Sequence, residues 1–285
     1  LSEHTVTEPL GFTPAFTQGS VDKLKEEVTY TVTPLYDSKK LFSADQVLDV
    51  NRDVMIETQA PPVFTIDVSA LRDGGTLPAY LQEVGDDLIA AIDADSTPLS
   101  DLQLAQTLPP QLRIDKVVRE NGSVIEVQFD ESLPAIPEVL SVTSRRGEFK
   151  SGDSYQVSSA ISRAGPEELR NASTEYPLWV SERYLQLPSS LPQRVSDLAF
   201  RVTAGSDTPF EKAKALEQYL RNSYPYNLRV DPPPFNADGV DHFLFTLEEG
   251  YSEYFGSTMA VMLRTVGGPS RLAVGYTTGD QIEGQ

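Results

Sequence analysis

Gly250-Tyr251-Ser252-Glu253-Tyr254-Phe255 runs into the apolar segment Met259-Ala260-Val261-Met262-Leu263-Arg264, and this stretch decides how the second half of the chain folds. The spacing predicts a helix from about Ser252 to Val266, closed by Gly267-Gly268-Pro269. Gly250 and Tyr251 lead in, so residue 252 falls on the first turn. Unpaired N–H groups and the positive end of the helix dipole lie there. That setting lowers the pKa of a cysteine and favours the reactive thiolate. Serine gains little from it, because its hydroxyl is too weak an acid for a helix end to ionise; it needs a positioned base. Serine is also among the best helix caps, and on residue chemistry alone Ser252 reads first as an N-cap.

Upstream of this helix the pattern is also helical. Val195, Leu198 and Val202 form one stripe, with Gly205 as its stop. Thr208-Pro209-Phe210-Glu211 is a capping box with proline at the first helical position. The helix it opens turns Ala213, Leu216 and Leu220 inward. Pro225 and the run Pro232-Pro233-Pro234 then exclude both helix and central strand. Beyond the glycine stop, Arg271–Tyr276 reads as a strand.

The first half reads mostly as strands. Val28, Tyr30 and Val32 alternate with Thr29, Thr31 and Thr33. Val54–Thr58, Val63–Val68 and the run through Tyr155, Val157 and Ile161 behave similarly. Asn121-Gly122 predicts a type I′ hairpin tip, with Ile114 facing Phe129, Val118 facing Ile125, and Lys116 opposite Val127 as the one misfit. One helix is expected around Pro78–Asp93, with Tyr80, Val84, Leu88 and Ile92 on one stripe. Residues 1–165 are therefore read as an antiparallel β-rich, sandwich-like domain with a helical insertion. Prolines 134, 137, 166, 177, 188 and 192 punctuate the middle, and residues 166–190 are read as a connector anchored by the lone Trp179. Residues 191–285 form the helical remainder.

The chain has 285 residues, a formal net charge of −19 and 39% hydrophobic residues, enough for real cores. So acidic a surface repels phosphate backbones and anionic headgroups, which argues against a nucleic-acid partner. There is no cysteine, which excludes disulfides, thiolate metal sites and a thiol nucleophile in this sequence. His4 and His242 lie far apart and make no usual zinc pattern. The acids Asp86, Asp87, Asp93 and Asp95 lack EF-hand spacing and read as a solvated helix face. No metal and no cofactor is expected. No apolar run approaches the roughly 18 residues that span a bilayer. The start Leu1-Ser2-Glu3-His4 carries no signal-peptide pattern and reads as a cut from a longer protein.

From about Phe210 to Asp280 the chain resembles the transglutaminase-like superfamily, a papain-like thiol enzyme fold, in its bacterial membrane-anchored branch. The residues that carry the resemblance are Tyr224-Pro225-Tyr226, the proline run, Asp238-Gly239-Val240-Asp241-His242-Phe243-Leu244-Phe245, the 250–255 and 259–264 segments, and Arg271-Leu272-Ala273-Val274-Gly275-Tyr276. It extends more weakly back to Tyr155, through Tyr184-Leu185-Gln186-Leu187-Pro188. The fold this implies is α+β: the sandwich-like domain, then the helical part of the papain-like core, ending before the catalytic strands. The family triad is Cys, His and Asp in chain order, and Ser252 stands at the cysteine position. The other two are expected beyond Tyr276 and are not reached by Gln285. His242, inside a Phe-Leu-Phe run, is read as scaffold, with Asp241 holding a backbone group or the imidazole. Tyr251, Glu253, Tyr254, His242 and Asp241 are the expected neighbours of Ser252 in the cleft.

The serine has two explanations, a deliberate Cys→Ser replacement or a natural one, and either leaves this chain inactive. The chemistry the resemblance implies is acyl transfer or amide hydrolysis on a protein or peptide, including cell-wall peptide. The same resemblance implies the extracytoplasmic face of a bacterial membrane, with attachment through helices outside this chain. A non-catalytic peptide- or partner-binding module is the alternative. A serine hydrolase is a poor fit, since Gly-x-Ser-x-Gly is absent.

Overall fold

The computed structural model describes residues 5–10, 24–44, 46–59, 62–94, 98–131 and 139–275. The expectations on His4, Asp95, Pro134, Pro137 and Tyr276 lie outside them. The chain divides into two compact units, Leu1–Ala164 and Gly165–Gln285.

In the first unit, nine strands form three antiparallel three-stranded sheets among the described residues. One sheet has the order β1 (Thr5–Pro9), β4 (Val54–Gln59), β8 (Val139–Ser144), and a second has β2 (Lys25–Val32), β9 (Tyr155–Ser162), β3 (Gln46–Val50). They share one core, made of Leu41, Val47, Val50, Val54, Ile56, Val142, Tyr155 and Val157. This is the sandwich-like part. Tyr155 is buried, yet its hydroxyl is satisfied by the backbone of Phe42, to which it donates at 3.2 Å and from which it accepts at 2.7 Å.

The third sheet, β5 (Val63–Asp67), β7 (Ser123–Glu131), β6 (Leu112–Glu120), buries Phe64, Ile66, Val124, Val127 and Phe129. The expected strand 63–68 stops one residue early, because the Asp67 side chain caps a short helix, α1 (Val68–Arg72). The expected helix is α2 (Gln82–Ala94), entered through a 3₁₀ turn at Ala79–Leu81. Val84 and Leu88 are buried as anticipated, with Leu77 packed against Gly85. A further helix, α3 (Asp101–Thr107), was not anticipated; Ser100 and Gln103 form its capping box.

The hairpin tip is as expected, with Asn121 at φ 49° and Gly122 at φ 84°. Its register is not. Ile114 does face Phe129, but Val118 faces Glu126 and Lys116 faces Gln128. Bulges between Ile114 and Lys116 and between Val118 and Arg119 shift the pairing and give Lys116 a polar neighbour.

The second unit is helical. The stretch expected as a connector folds as α4 (Pro166–Arg170) and α5 (Leu178–Tyr184), with Trp179 edge-on to Tyr184 at 6.3 Å. Then follow α6 (Gln193–Val202), α7 (Pro209–Ser223), α8 (Gly239–His242) and α9 (Ser252–Thr265). The capping box of α7 is present in both directions, between Thr208 and Glu211. Val195, Leu198, Ala199, Leu216, Leu220, Tyr224, Phe243, Leu244, Met262 and Val266 form one buried core. Arg264 forks onto the Ser270 carbonyl and also donates to the Gln186 carbonyl at 2.9 Å. It thereby ties the exit of α9 to the end of α5. Residues 271–275 are exposed and form no strand, against the expectation for that segment: alternation makes a strand only within a sheet, and the segment is part of none of the sheets among the described residues.

Candidate functional site

Helix α9 begins at Ser252, and its N-cap is Tyr251, whose backbone is extended (φ −116°, ψ −176°). The expectation that Ser252 itself is the cap is thereby corrected. The extended step at Tyr251 places Ser252 on the first helical position, exposed to solvent. Tyr251 makes no side-chain cap. The amide-rich end of the helix is thus presented beside residue 252 without a polar side chain at the N-cap drawn over it.

The lead-in is clamped. Tyr226 and Gly250 form a parallel bridge. The Gly250 N–H donates to the Pro225 carbonyl at 3.2 Å, and the Asn227 N–H donates to the Gly250 carbonyl at 2.7 Å. The Asn227 side-chain amide donates to a Glu249 carboxylate oxygen at 3.0 Å, while its own oxygen accepts from the Arg229 N–H at 2.8 Å. Gly250 is buried, and a Cβ there would lie 3.1 Å from Cβ, Cγ and Cδ2 of Tyr254. Glycine at 250 therefore lets the Tyr254 ring lie on the backbone that feeds the helix.

Aromatic rings brace the same turn. Tyr224 packs on Phe243 at 5.0 Å between centroids, Phe243 on Tyr254 at 5.6 Å and on Phe255 at 5.2 Å. Tyr226 stacks on Phe255 at 6.2 Å, and Tyr251 meets Tyr254 edge-on at 5.1 Å. Pairs of this kind each add about 0.5–1.5 kcal/mol beyond area burial, so the first turn is held by a connected set. Burial pushes the Tyr254 phenol above its ordinary range, with Tyr251 and Glu253 adding to the effect. The Tyr224 phenol is raised further, again chiefly by burial, and its hydroxyl donates to the Leu244 carbonyl at 3.1 Å.

Helix α8 packs beside α9 and continues into a π-helical turn, Phe243–Leu247. Such widened turns recur at functional sites. The turn ends at Glu248 in the left-handed region, φ 57°. Asp238 caps α8 through the Asp241 N–H. The Asp241 carboxylate takes both arms of the Arg194 guanidinium from α6, and Arg194 also lies over the Phe245 ring at 4.5 Å. The arginine hydrogen bond holds the Asp241 carboxyl below its ordinary value. Asp241 was expected to hold a backbone group or the imidazole; it holds a guanidinium instead, because Arg194 approaches from another helix.

Tyr251, Ser252, Glu253 and Tyr254 thus share one turn. His242 stands at the end of α8, one residue before the Phe243 ring that touches Tyr254. Asp241 is engaged toward α6. Sequence reasoning missed Arg194, Asn227 and the packing role of Gly250. It also missed Leu272, whose methyl comes within 2.5 Å of where a Cβ on Gly256 would lie. Among the described residues no group of His, Asp and Glu is arranged to hold a metal ion, and no helix is long and apolar enough to cross a membrane.

Residues 196–284 match the family model of the transglutaminase-like superfamily. The chain carries a transglutaminase-like domain. Two curated relatives match. One is "Uncharacterized protein YebA" of Bacillus subtilis, 38% identical over 153 residues, covering 51% of this chain and 20% of the relative. The other is "Protein-glutamine gamma-glutamyltransferase" of Pseudomonas aeruginosa, 35% identical over 127 residues, covering 44% of this chain and 18% of the relative. The matches thus span about a fifth of each relative's length. Among solved structures, the periplasmic domain of TgpA from Pseudomonas aeruginosa aligns over 94% of this chain and 77% of its own, at 16% identity and TM-score 0.33. Its ethylmercury-bound form aligns at TM-score 0.32, covering 94% of this chain and 79% of its own.

Proposed function

We propose that the transglutaminase-like domain is built for acyl transfer or amide hydrolysis on a protein or peptide, with residue 252 as the nucleophile position, and that the serine form is inert. The observation that carries this reading is the exposed Ser252 on the first helical position of α9, with its lead-in clamped at Gly250. A thiolate there would be stabilised by the helix end and would attack a carboxamide or peptide carbonyl. The amine leaves with a proton, and a second amine or water then releases the acyl group. A serine hydroxyl at that place has no comparable route to ionisation. The remaining partners that the resemblance implies, a histidine and an aspartate, follow residue 252 in chain order. The name of the Pseudomonas relative, a protein-glutamine gamma-glutamyltransferase, supports the same class of chemistry. An extracytoplasmic position, with membrane helices elsewhere in the parent protein, belongs to this proposal. Most of each relative's length lies outside the match and leaves room for them.

The test assays amine incorporation and peptide hydrolysis by the full-length protein, with Ser252 and with Ser252→Cys. Turnover confined to the cysteine form supports the proposal, and robust turnover by the serine form overturns it. A second reading, a peptide-binding module without catalysis, is favoured by Tyr226, Leu228 and Phe235, which are 62%, 73% and 102% exposed on the loop that begins at the Gly250 bridge. On that reading neither form turns over, and both retain the same peptide.

A further inference from the structure

The loop bridged to Gly250 contains one side chain whose hydrogen bonds the mechanism does not use. Asn227 accepts the Arg229 N–H at its oxygen, which fixes the orientation of the amide and leaves its N–H₂ no choice but to face Glu249. Its backbone N–H meanwhile holds the Gly250 carbonyl. The two residues just before Tyr251 and Ser252 are therefore gripped from one position, by side chain and backbone together.

We propose that Asn227 is a positioning residue for residue 252. Through the Glu249 carboxylate it fixes the approach to α9 and so sets where the first-turn side chain stands relative to a bound acyl group. This rests on the reading of residue 252 as the nucleophile position. The polarity of the contact can be reversed without changing its length. Asn227→Asp keeps the oxygen that accepts from Arg229 but sets a carboxylate against a carboxylate. Adding Glu249→Gln supplies an amide donor from the other side and restores the bond, with the same net charge as the original pair.

The experiment uses the full-length protein carrying Ser252→Cys, whose thiol is the only one within these 285 residues. Three forms are compared: Ser252→Cys alone, with Asn227→Asp, and with Asn227→Asp plus Glu249→Gln. Two readouts are taken, kcat and KM for amine incorporation and the rate of alkylation of the thiol at residue 252. Displacements of about 1 Å at a reacting group cost up to about a hundredfold. We expect Asn227→Asp to lower kcat by roughly tenfold with KM changed less than about twofold, and to slow alkylation. The double replacement should return both to within about threefold of the parent. A form in which Asn227→Asp leaves both rates unchanged, or in which the reversed pair is folded but not rescued, overturns the proposal. If Ser252→Cys alone shows no turnover, the proposed function fails, while the alkylation rates still decide the role of Asn227.

Discussion

Thr258 is fully buried in α9, and its hydroxyl is the one buried side-chain polar atom without a hydrogen-bond partner among the described residues. A buried hydroxyl that has lost water and gained nothing costs about 1–3 kcal/mol. Valine has nearly the same shape and differs little from threonine in helix propensity. Thr258→Val should therefore remove the penalty without opening a cavity, and raise stability by about 1–2 kcal/mol. The assay is urea unfolding followed by tryptophan fluorescence. Trp179 is the only tryptophan and lies in the second unit, so the signal reports the unit that holds Thr258. With an m-value of about 2 kcal/mol/M, the midpoint should rise by about 0.5–1 M. Thr258→Ser is the control. It keeps the unpartnered oxygen and deletes the methyl, so it should lower the midpoint, since one lost buried methyl costs about 0.5–1.5 kcal/mol. A valine variant that is less stable than the parent would refute the reasoning, because the hydroxyl would then have been contributing a bond.

Three further outcomes follow from the same unit. Gly250→Ala should destabilise by about 1–3 kcal/mol in that assay, because its Cβ would press on Tyr254 at 3.1 Å; in the Ser252→Cys form it should also lower amine incorporation. Arg264→Ala should cost about 2–3 kcal/mol through lost bonds to the Gln186 and Ser270 carbonyls, and Arg264→Lys should recover little, since lysine lacks the planar fork. The third outcome concerns acid. The Asp241 carboxyl titrates below its ordinary value of 3.8 when folded, owing to Arg194. Its stabilising contribution is therefore complete above that value and is lost as pH falls through the folded-state pKa. Urea midpoints measured from pH 5 to pH 3 should fall less steeply for Asp241→Asn than for the parent; equal slopes would remove Arg194 from the account.

The parts of the fold legible in the sequence are those written locally. Thr208 and Glu211 lie three residues apart and announce α7, and Asn121-Gly122 announces its own turn. Helix α9 begins at the residue that the apolar spacing indicated. What was not legible depends on partners distant in the chain. Arg194 and Asp241 are 47 residues apart, and neither predicts the other. Strands β1, β4 and β8 share a sheet, but nothing in their alternation says which edge each will meet. The hairpin register differs for a related reason: alternation fixes faces, while one bulge shifts the pairing by a residue from Val118 to Lys116 and a second restores it at Ile114. Helix α3 is a different case. Ser100 and Gln103 carry a readable capping signal, but the helix has only seven residues and one buried position inside it, Leu104, too few for a periodic stripe to stand out.

At the candidate site, the sequence marked Ser252 and its turn but not what steadies them. Asn227 belongs to no motif in the sequence, and Gly250 marks only the approach to the helix. Their significance lies in a bond to Glu249 and a ring lying on a bare Cα, which only coordinates supply.

The widened turn at Phe243–Leu247 also says something about how this segment can change length. It is moored at Asp241 by Arg194 and at Gly250 by Pro225 and Asn227, so the path between the moorings is fixed. A π turn already stores one residue more than an α turn needs. Loss of a residue there can be absorbed by winding to the tighter form, whereas an added one has no slack to enter. Deletions should thus be borne where insertions are not, an asymmetry set by the surplus residue and not by any side chain.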